Sequence, residues 1–346
     1  MKQLLNTIYV TSPDSFIRRD GTNLVVEVDG ITKGRVPIHN VQQVITFGYA
    51  GASPQAMYLC AENNVSLTFM SPTGRFLATC SGSVKGNVLL RRSQYRIADD
   101  DMQSLNIASN MIVGKMVNCR TILKKGLYNH KSKIDSVMLE EMISKISESI
   151  DSAKEADSAG SLRGIEGDAA KAYFRGINLL ILKEHDYFYM DERSRRPPRD
   201  RFNALLSFLY SLLTNDVKSS LEAVGMDPFV GFLHTDRPGR PSLALDVMEE
   251  MRPIADRLVL RLINLGMICP NDFIEEEGGA FRMTDDARAL VINEWQESKK
   301  IECYHPFLGE KIPTGLVPYA QSMLLSKCIR KDLDGYPPYI IKQAIS

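Results

Sequence analysis

The sequence predicts an α+β protein, with a small N-terminal β-strand domain at residues 1–95 and a larger all-α domain at residues 96–346. Two observations predict this division. In the first part, short β-rich runs are separated by turn signals such as Asp20-Gly21 and Asp29-Gly30. From about Asp101 onward, apolar residues recur instead at the 3.6-residue spacing of helices. A chain of 346 residues is long enough for two domains, each with its own core.

The β domain is predicted from five short runs rich in β-branched and aromatic residues. These predicted strands are residues 7–11, 24–28, 43–47, 65–70 and 76–80. One helix interrupts them, because Ser53-Pro54 is a typical helix start and Asn63-Asn64 ends the apolar segment that follows. Since His and carboxylate residues do not cluster here, the domain is predicted to be a structural or dimerising module.

The α domain begins with a long amphipathic segment. Its apolar residues at helical spacing are Leu105, Ala108, Ile112, Met116, Cys119 and Leu123. Basic residues are assigned to its other faces, namely Lys115, Arg120, Lys124 and Lys125. Further helices are predicted at 136–153, 162–184, 202–223, 243–265 and 284–300, and the chain from Pro318 begins helical and ends in a Pro-rich extension.

Composition describes an ordinary soluble protein whose charge is unevenly distributed. The 42 basic and 42 acidic residues cancel, yet residues 84–134 contain ten basic against three acidic side chains. A neutral total can therefore hide a basic face, although a solvated helix surface explains such runs equally well. The six cysteines form no CxxC pair, which argues against a disulfide framework or zinc cluster and fits a reducing cytoplasm. Neither a secretory signal nor an apolar run long enough to span a bilayer is recognised.

Glu166 lies within an apolar helical pattern. The residues in register with it are Ala170, Tyr173, Ile177 and Leu180. Burying an unpaired carboxylate costs several kcal/mol. Glu166 is therefore expected either to pair with Lys171 or Arg163, or to bind a metal ion.

A second segment supplies an imidazole followed by three acids. His234 lies in a loop, and Pro241-Ser242 is a plausible start for a helix on which Asp246, Glu249 and Glu250 fall within roughly a 100° arc. A lone loop histidine is more often a surface or capping residue, but its place just before an acid-bearing helix favours a ligand. One imidazole with two carboxylates is a hard donor set typical of Mg²⁺ or Mn²⁺.

Five arginines between residues 193 and 201 surround Pro197-Pro198, which keeps this segment out of a helix. They are Arg193, Arg195, Arg196, Arg199 and Arg201. Guanidinium groups fit phosphates, so this loop and the basic residues of the amphipathic segment (Lys115, Arg120, Lys124, Lys125) form the predicted DNA-binding set. The alternative is a salt-bridged loop that braces the helices.

These motifs, in this order, resemble the CRISPR-associated spacer integrase family, the endonuclease numbered one in its system. The resemblance rests on Glu166 with its small neighbours, on the loop 195–208 and on the stretch from Gly231-Phe232-Leu233-His234 to Arg252-Pro253. Residues 4–11 are also similar to the opening of one type I branch, which is type I-C-like.

The resemblance implies a metal-dependent DNA endonuclease and integrase of CRISPR adaptation. In it, a 3′-hydroxyl of a short captured duplex attacks a phosphodiester at the edge of a repeat. Glu166, His234 and Glu249 would be the catalytic ligands of Mg²⁺ or Mn²⁺, with Asp246 as a second carboxylate and Glu250 as a further alternative. The implied partners are double-stranded DNA, a small second adaptation subunit and a second copy of the chain. The rival hypotheses are a metallonuclease acting on branched DNA in repair and a non-enzymatic nucleic-acid scaffold.

Overall fold

The computed structural model describes residues 7–10, 12, 14–41, 43–70, 76–80, 82, 88–194 and 197–342. Two compact units divide the chain, Met1–Lys85 with Arg288–Lys300 and Gly86–Ala287 with Ile301–Ser346. The first unit contains the seven N-terminal strands, and the second is mostly helical. The predicted order, a small β region followed by a larger helical region, is confirmed. The predicted boundary at residue 95 lies inside a helix, Val88–Ala98.

The N-terminal unit contains two sheets. The first has the order β1 (Thr7–Val10), β5 (Gln43–Phe47), β6 (Ser66–Met70), β7 (Phe76–Cys80), with the first three strands parallel and β7 antiparallel. The second is an antiparallel meander of β2 (Ser15–Asp20), β3 (Asn23–Val28) and β4 (Ile31–Pro37). Strands β2 and β4 were not predicted, because most side chains of β4 are exposed and β2 carries consecutive arginines, so neither gives a clear apolar pattern.

Helix α1 (Pro54–Glu62) confirms the predicted interruption of the strands. The Ser53 hydroxyl caps it by accepting a hydrogen bond from the amide of Ala56 at 3.2 Å. Leu59 and Cys60 of this helix are buried with Leu24 and Leu67 in the core of the unit. The buried face of α1 therefore packs against residues of the strands.

Among the described residues, nine α-helices lie wholly within the second unit, together with two β-hairpins. The helices are α2 (Val88–Ala98), α3 (Asp101–His130), α4 (Ser136–Lys154), α5 (Ala159–Leu179), α6 (His185–Phe188), α7 (Arg201–Ala223), α8 (Ser242–Met248), α9 (Arg252–Asn264) and α11 (Val317–Ile329). A further helix, α10 (Asp285–Lys300), begins in this unit and belongs to the first unit from Arg288 onward. The hairpins are β8 (Phe273–Glu276) with β9 (Ala280–Met283) and β10 (Glu302–His305) with β11 (Glu310–Pro313). They are the exception to the all-α prediction. None of the described helices is both long and apolar enough to cross a membrane.

The predicted helix 243–265 is broken where the site is built. Helix α8 ends at Met248, a 3₁₀ turn covers Glu249–Met251, and α9 begins at Arg252. Pro253 accounts for the break, because it has no amide proton and its ring would clash with the carbonyl of residue 249 in a continuous helix. The acids at 246, 249 and 250 therefore do not share one helical face, contrary to the prediction.

Candidate active site

Two of the predicted ligands, Glu166 and Glu249, meet at a lysine. The Lys115 ammonium forms an ion pair with Glu166 Oε1 and lies 2.7 Å from Glu249 Oε2. The Lys115 and Glu249 side chains are buried, whereas the Glu166 side chain is 27% exposed. The pair is thus open on the side of α5. Glu166 does not pair with Lys171 or Arg163, the neighbours considered from sequence.

Lys115 was predicted to lie on a DNA-binding face, and this prediction is wrong. The side chain is in the buried stripe of α3, in register with Ala108, Met111, Asn118 and Ile122. An ammonium at a core position needs a buried anion, because an isolated charge is costly there. Two carboxylates supply that anion.

Glu249 is held ionised by the charges around it. Burial opposes ionisation, but Arg252, Lys115 and His234 outweigh that effect and lower the pKa of Glu249 to about 2. Arg252 Nη2 lies 2.9 Å from Oε1. Oε2 is buried, and the Lys115 ammonium 2.7 Å away is the cation that neutralises it.

His234 is oriented by Asp246. The Nδ1 atom of the ring lies 2.6 Å from Asp246 Oδ1, and the same buried carboxylate accepts hydrogen bonds from the amides of Phe232, Leu233 and His234 at 2.6, 3.0 and 3.1 Å. A carboxylate accepts the Nδ1 proton, so Nε2 is the nitrogen that keeps its lone pair. Within the described ranges Nε2 makes no hydrogen bond. Asp246, predicted as a possible second metal carboxylate, uses both of its oxygens to position the loop and the ring in this structure.

The loop that presents His234 needs a glycine and an arginine. A Cβ on Gly231 would lie 2.7 Å from Asp246 Oδ2 and 2.9 Å from the Ser242 carbonyl carbon, so only glycine allows the loop to wrap the carboxylate this closely. Arg163 Nη1 donates to the carbonyl of Leu233 at 3.0 Å. Because Arg163 precedes Glu166 by one helical turn, it ties the helix of one predicted ligand to the loop of another.

Glu250 faces a different environment from its neighbour. Its Oε2 accepts hydrogen bonds from Gln321 Nε2 at 2.9 Å and from the Tyr339 amide at 2.6 Å. Burial, without a compensating cation, raises the pKa of Glu250 to about 8. A protonated carboxyl is a poor metal ligand. Of the three acids left open by the sequence, only Glu249 shares a cation with Glu166.

Asn118 connects this second environment to α3, one helical turn after Lys115. Its Nδ2 donates to the carbonyls of Glu250 and Tyr339, both at 2.8 Å, and its Oδ1 accepts from the Ile341 amide at 2.7 Å. The segment from Tyr336 to Ile341 is thereby fixed against the 3₁₀ turn. The Pro-rich extension predicted near the C-terminus is therefore packed against the rest of the second unit.

A buried network lies behind Arg252. Its guanidinium is 5.0 Å from the centroid of the Tyr210 ring, and that of Arg193 is 5.4 Å from the same centroid. Asp256 accepts hydrogen bonds from the hydroxyls of Tyr210 and Tyr173 at 2.6 and 2.9 Å. Burial raises the pKa of Asp256 to about 6. Sequence patterns did not identify this network, although an acid in the apolar stripe of α9 was a signal for it.

Apart from Lys115, the predicted DNA-binding residues that the structure describes are either half-buried or exposed. Arg193 donates to Asn203 and Ser207, Arg201 stacks on Phe281 at 4.6 Å, and Arg120 donates to Ser147 at 3.2 Å. These three brace the fold, as the alternative interpretation of the loop required for Arg193 and Arg201. Exposed residues are Arg199, Lys124 and Lys125. Arg195 and Arg196 lie outside the described residues, as does the start of the segment 4–11.

The donor set was tested for its fit to a divalent cation. Among the described residues, no three His, Cys, Asp or Glu side chains already stand together as a metal cage. The chemistry nevertheless fits: Glu166 and Glu249 share one ammonium in place of a cation, and His234, with Nδ1 on Asp246, keeps a lone pair on Nε2. Oxygen-rich sites of this kind suit Mg²⁺ or Mn²⁺.

Comparison with known proteins identifies the family. Residues 8–297 match the family described as CRISPR associated protein Cas1. Over 347 residues the chain is 47% identical to CRISPR-associated endonuclease Cas1 2 of Rhodospirillum rubrum, and the match covers 99% of this chain and 100% of that protein. The chain belongs to the Cas1 family. The resemblance found in the sequence is confirmed at the level of the family.

Solved structures share the fold of this Cas1 chain. A casposase bound to its integration product matches with a TM-score of 0.84 at 22% identity, over 99% of this chain and 96% of that one. A Cas6-RT-Cas1–Cas2 complex matches with a TM-score of 0.83 at 22% identity, over 100% of this chain and 37% of that one. The arrangement of a small β region before a larger helical region is therefore common to these proteins.

Proposed function

We propose that this Cas1 protein is a metal-dependent DNA endonuclease and integrase that inserts short DNA segments into a CRISPR array by transesterification. The observation that supports this most is the meeting of Glu166 and Glu249 at Lys115, beside an imidazole that Asp246 orients. Glu166, His234 and Glu249 would hold Mg²⁺ or Mn²⁺. When bound, such an ion polarises a phosphodiester and stabilises the charge that develops on it.

The chain's own residues prepare this site. Asp246 keeps the proton of His234 on Nδ1, so that Nε2 can act as a ligand. Arg252 keeps Glu249 ionised and holds one of its oxygens in place. Arg163 and Gly231 fix the position of the His234 loop. Each of these contacts is already made in the protein alone, as preorganisation for catalysis requires.

The proposed reaction balances without a nucleotide cofactor. The oxygen of a 3′-hydroxyl forms a new bond to the phosphorus at the edge of a repeat, and the bond from that phosphorus to the 3′-oxygen of the repeat breaks. The departing 3′-oxygen takes up a proton in exchange for the one lost by the attacking hydroxyl. The number of phosphodiester bonds is unchanged, so no triphosphate is consumed. The fold shared with a casposase that is bound to its integration product supports this reaction.

The partners we propose are double-stranded DNA, a small Cas2-type subunit and a second copy of the chain. Arg199, Lys124 and Lys125 are exposed and can contact phosphates irrespective of sequence. The fold shared with a Cas1–Cas2 complex supports the small subunit. Assignment to the type I-C-like branch belongs to the same proposal.

Strand transfer by a His234→Ala protein tests the proposal. The substrate is a short duplex with free 3′-hydroxyls, and the target is a supercoiled repeat plasmid, with Mn²⁺ and the small subunit present. We expect joined product to be abolished while DNA affinity stays within a few-fold, because phosphate contacts dominate binding. His185→Ala is a matched control, since His185 also lies near an aspartate, at 3.7 Å, but is exposed and packs against Tyr189 rather than against the proposed ligands. Wild-type levels of product from His234→Ala would rule out this mechanism.

A further inference from the structure

The space between Glu166 and Glu249 contains a cation that belongs to the protein. Lys115 is buried, its ammonium reaches one oxygen of each carboxylate, and both of these carboxylates are the ligands proposed above. We infer that Lys115 is a resident counter-ion, which keeps the two carboxylates paired while no divalent ion is bound and which must withdraw when one binds. This inference rests on the proposed metal site and adds a residue that controls its occupancy.

Charge balance supports the inference. In the protein alone, the two carboxylates are matched by two buried cations, Lys115 and Arg252, so the buried cluster is close to neutral. A divalent ion bound by the same carboxylates would add two positive charges beside the ammonium. Like charges at such separations repel strongly where water is largely excluded. One of the resident cations must therefore move.

The two cations differ in how easily they can move. The Arg252 guanidinium pairs with Glu249 Oε1 and stacks on Tyr210, so it is fixed from two sides. The Lys115 ammonium lies 2.7 Å from Glu249 Oε2 and also reaches the partly exposed Glu166 side chain at the open side of the site. Lysine has a flexible four-carbon stem and can move its charge without moving the backbone. Lys115 is thus the cation that yields.

If Lys115 competes with a divalent ion for the two carboxylates, removing its charge should strengthen metal binding. Lys115→Met keeps the length of the side chain and removes the competing charge. We expect the Kd for Mn²⁺, measured from the free-ion electron paramagnetic resonance signal, to fall by at least about tenfold, or about 1.4 kcal/mol. In EDTA the same protein should melt about 5 °C or more below the wild type, because two buried carboxylates have lost a partner. Added Mn²⁺ should therefore raise its melting temperature more than that of the wild type.

Two comparisons give this experiment its controls. Lys171→Met removes an exposed lysine that pairs with Asp168 at 3.1 Å on the helix of Glu166, and it should change neither the Mn²⁺ affinity nor the metal-free melting temperature. His234→Ala should weaken Mn²⁺ binding. A wild-type protein that binds no Mn²⁺ would overturn the proposed metal site itself. Normal wild-type binding with equal or weaker binding by Lys115→Met would overturn only the role of Lys115.

A measurement on the wild-type protein covers the case in which Lys115→Met does not fold. Reductive methylation followed by peptide mass spectrometry reports how accessible each lysine amine is. If the ammonium leaves the carboxylates on ion binding, Lys115 should be methylated faster with Mn²⁺ than in EDTA, whereas the exposed Lys171 should react at the same rate in both. Equal or greater protection of Lys115 with Mn²⁺ would contradict the inference.

Discussion

Glu249 and Glu250 are adjacent in the sequence and both buried, yet their surroundings shift their pKa values in opposite directions. The pocket of Glu249 contains Lys115 and Arg252, and the pKa of this carboxyl is lowered to about 2. The pocket of Glu250 offers neutral donors, which include Gln321 and the Tyr339 amide, and burial raises its pKa to about 8. The difference shows that burial alone does not decide whether a carboxyl is charged. The neighbouring cations decide it.

This contrast separates a candidate ligand from a structural group. A cation is bound by an ionised carboxylate, and only the first of the two pockets keeps one at neutral pH. The second pocket uses its carboxyl as a hydrogen-bond acceptor that joins the 3₁₀ turn to the C-terminal segment.

The largest effect is expected for strand transfer by matched amide variants. Glu249→Gln should lower the rate at least about 100-fold, because a ligand is lost and two buried cations lose their anion. Glu250→Gln should stay within a few-fold of wild type, since a neutral amide can still accept the same hydrogen bonds. The measurement is joined product with time at saturating Mn²⁺. Equal losses in the two variants would end the distinction between the pockets.

A smaller loss is expected for Asp246→Asn, because Asp246 acts through the His234 ring and the loop that carries it. An amide in place of the carboxylate can donate to Nδ1 and shift the ring proton to Nε2, where it would block the ligand lone pair. We expect strand transfer and Mn²⁺ affinity to fall about 10–100-fold, with an unchanged circular dichroism spectrum. A variant with normal Mn²⁺ affinity would show that the orientation of the ring by Asp246 is unimportant.

Asn118→Ala tests the neutral pocket through stability rather than chemistry. Two buried carbonyls and the Ile341 amide would lose their partner, and each unsatisfied group costs about 1–3 kcal/mol. We expect the free energy of unfolding in urea to fall by about 2 kcal/mol or more. Asn110→Ala is the control on the same helix, because its side chain makes only a solvent-facing bond to Asn106. A loss no larger than that of the control would mean that the C-terminal segment is not anchored by Asn118.

The pH dependence of stability should have opposite signs in the two pockets. The folded-state pKa of Glu250 lies above the ordinary glutamate value of 4.5, so its contribution to stability is complete below about pH 4.5 and is lost as the pH rises to about 8. That of Glu249 lies below this value, so its contribution is present above pH 4.5 and is lost as the pH falls through about 2. Wild type should therefore lose stability relative to Glu250→Gln above pH 4.5, and relative to Glu249→Gln below it. Each slope is at most about 1.4 kcal/mol per pH unit. Parallel urea-unfolding profiles of wild type and both variants would contradict the assignment.

The sequence predicted elements well where one pattern decides them. The strand Gln43–Phe47 and the helix Pro54–Glu62 were found because a buried apolar run and a Ser-Pro start are local signals. The helix break at Glu249–Met251 was missed although Pro253 is visible in the sequence. Apolar periodicity on both sides of the proline outweighed it.

The candidate site was predicted only as far as local signals reach. Glu166, His234 and Glu249 were named together through their family pattern, and their role as ligands stays a prediction. Lys115 was missed although it lies in the apolar stripe of α3, because its partners are 51 and 134 positions away and that pairing is tertiary. The hydrogen bonds of Asp246 to the loop amides and to His234 were not predicted, because the residue pattern does not determine the path of a loop.

The hydrogen bonds between Asn118 and the C-terminal segment should form late in folding. The bond from Asn118 to Tyr339 joins residues 221 positions apart, and closing so long a loop is among the slower steps in folding. Asn118 also binds the carbonyl of Glu250, so we expect the turn beside Glu249 to reach its final conformation only after residues 336–341 have packed. Protection of the Tyr339 and Ile341 amides in pulse-labelled hydrogen exchange should accordingly appear after that of α3.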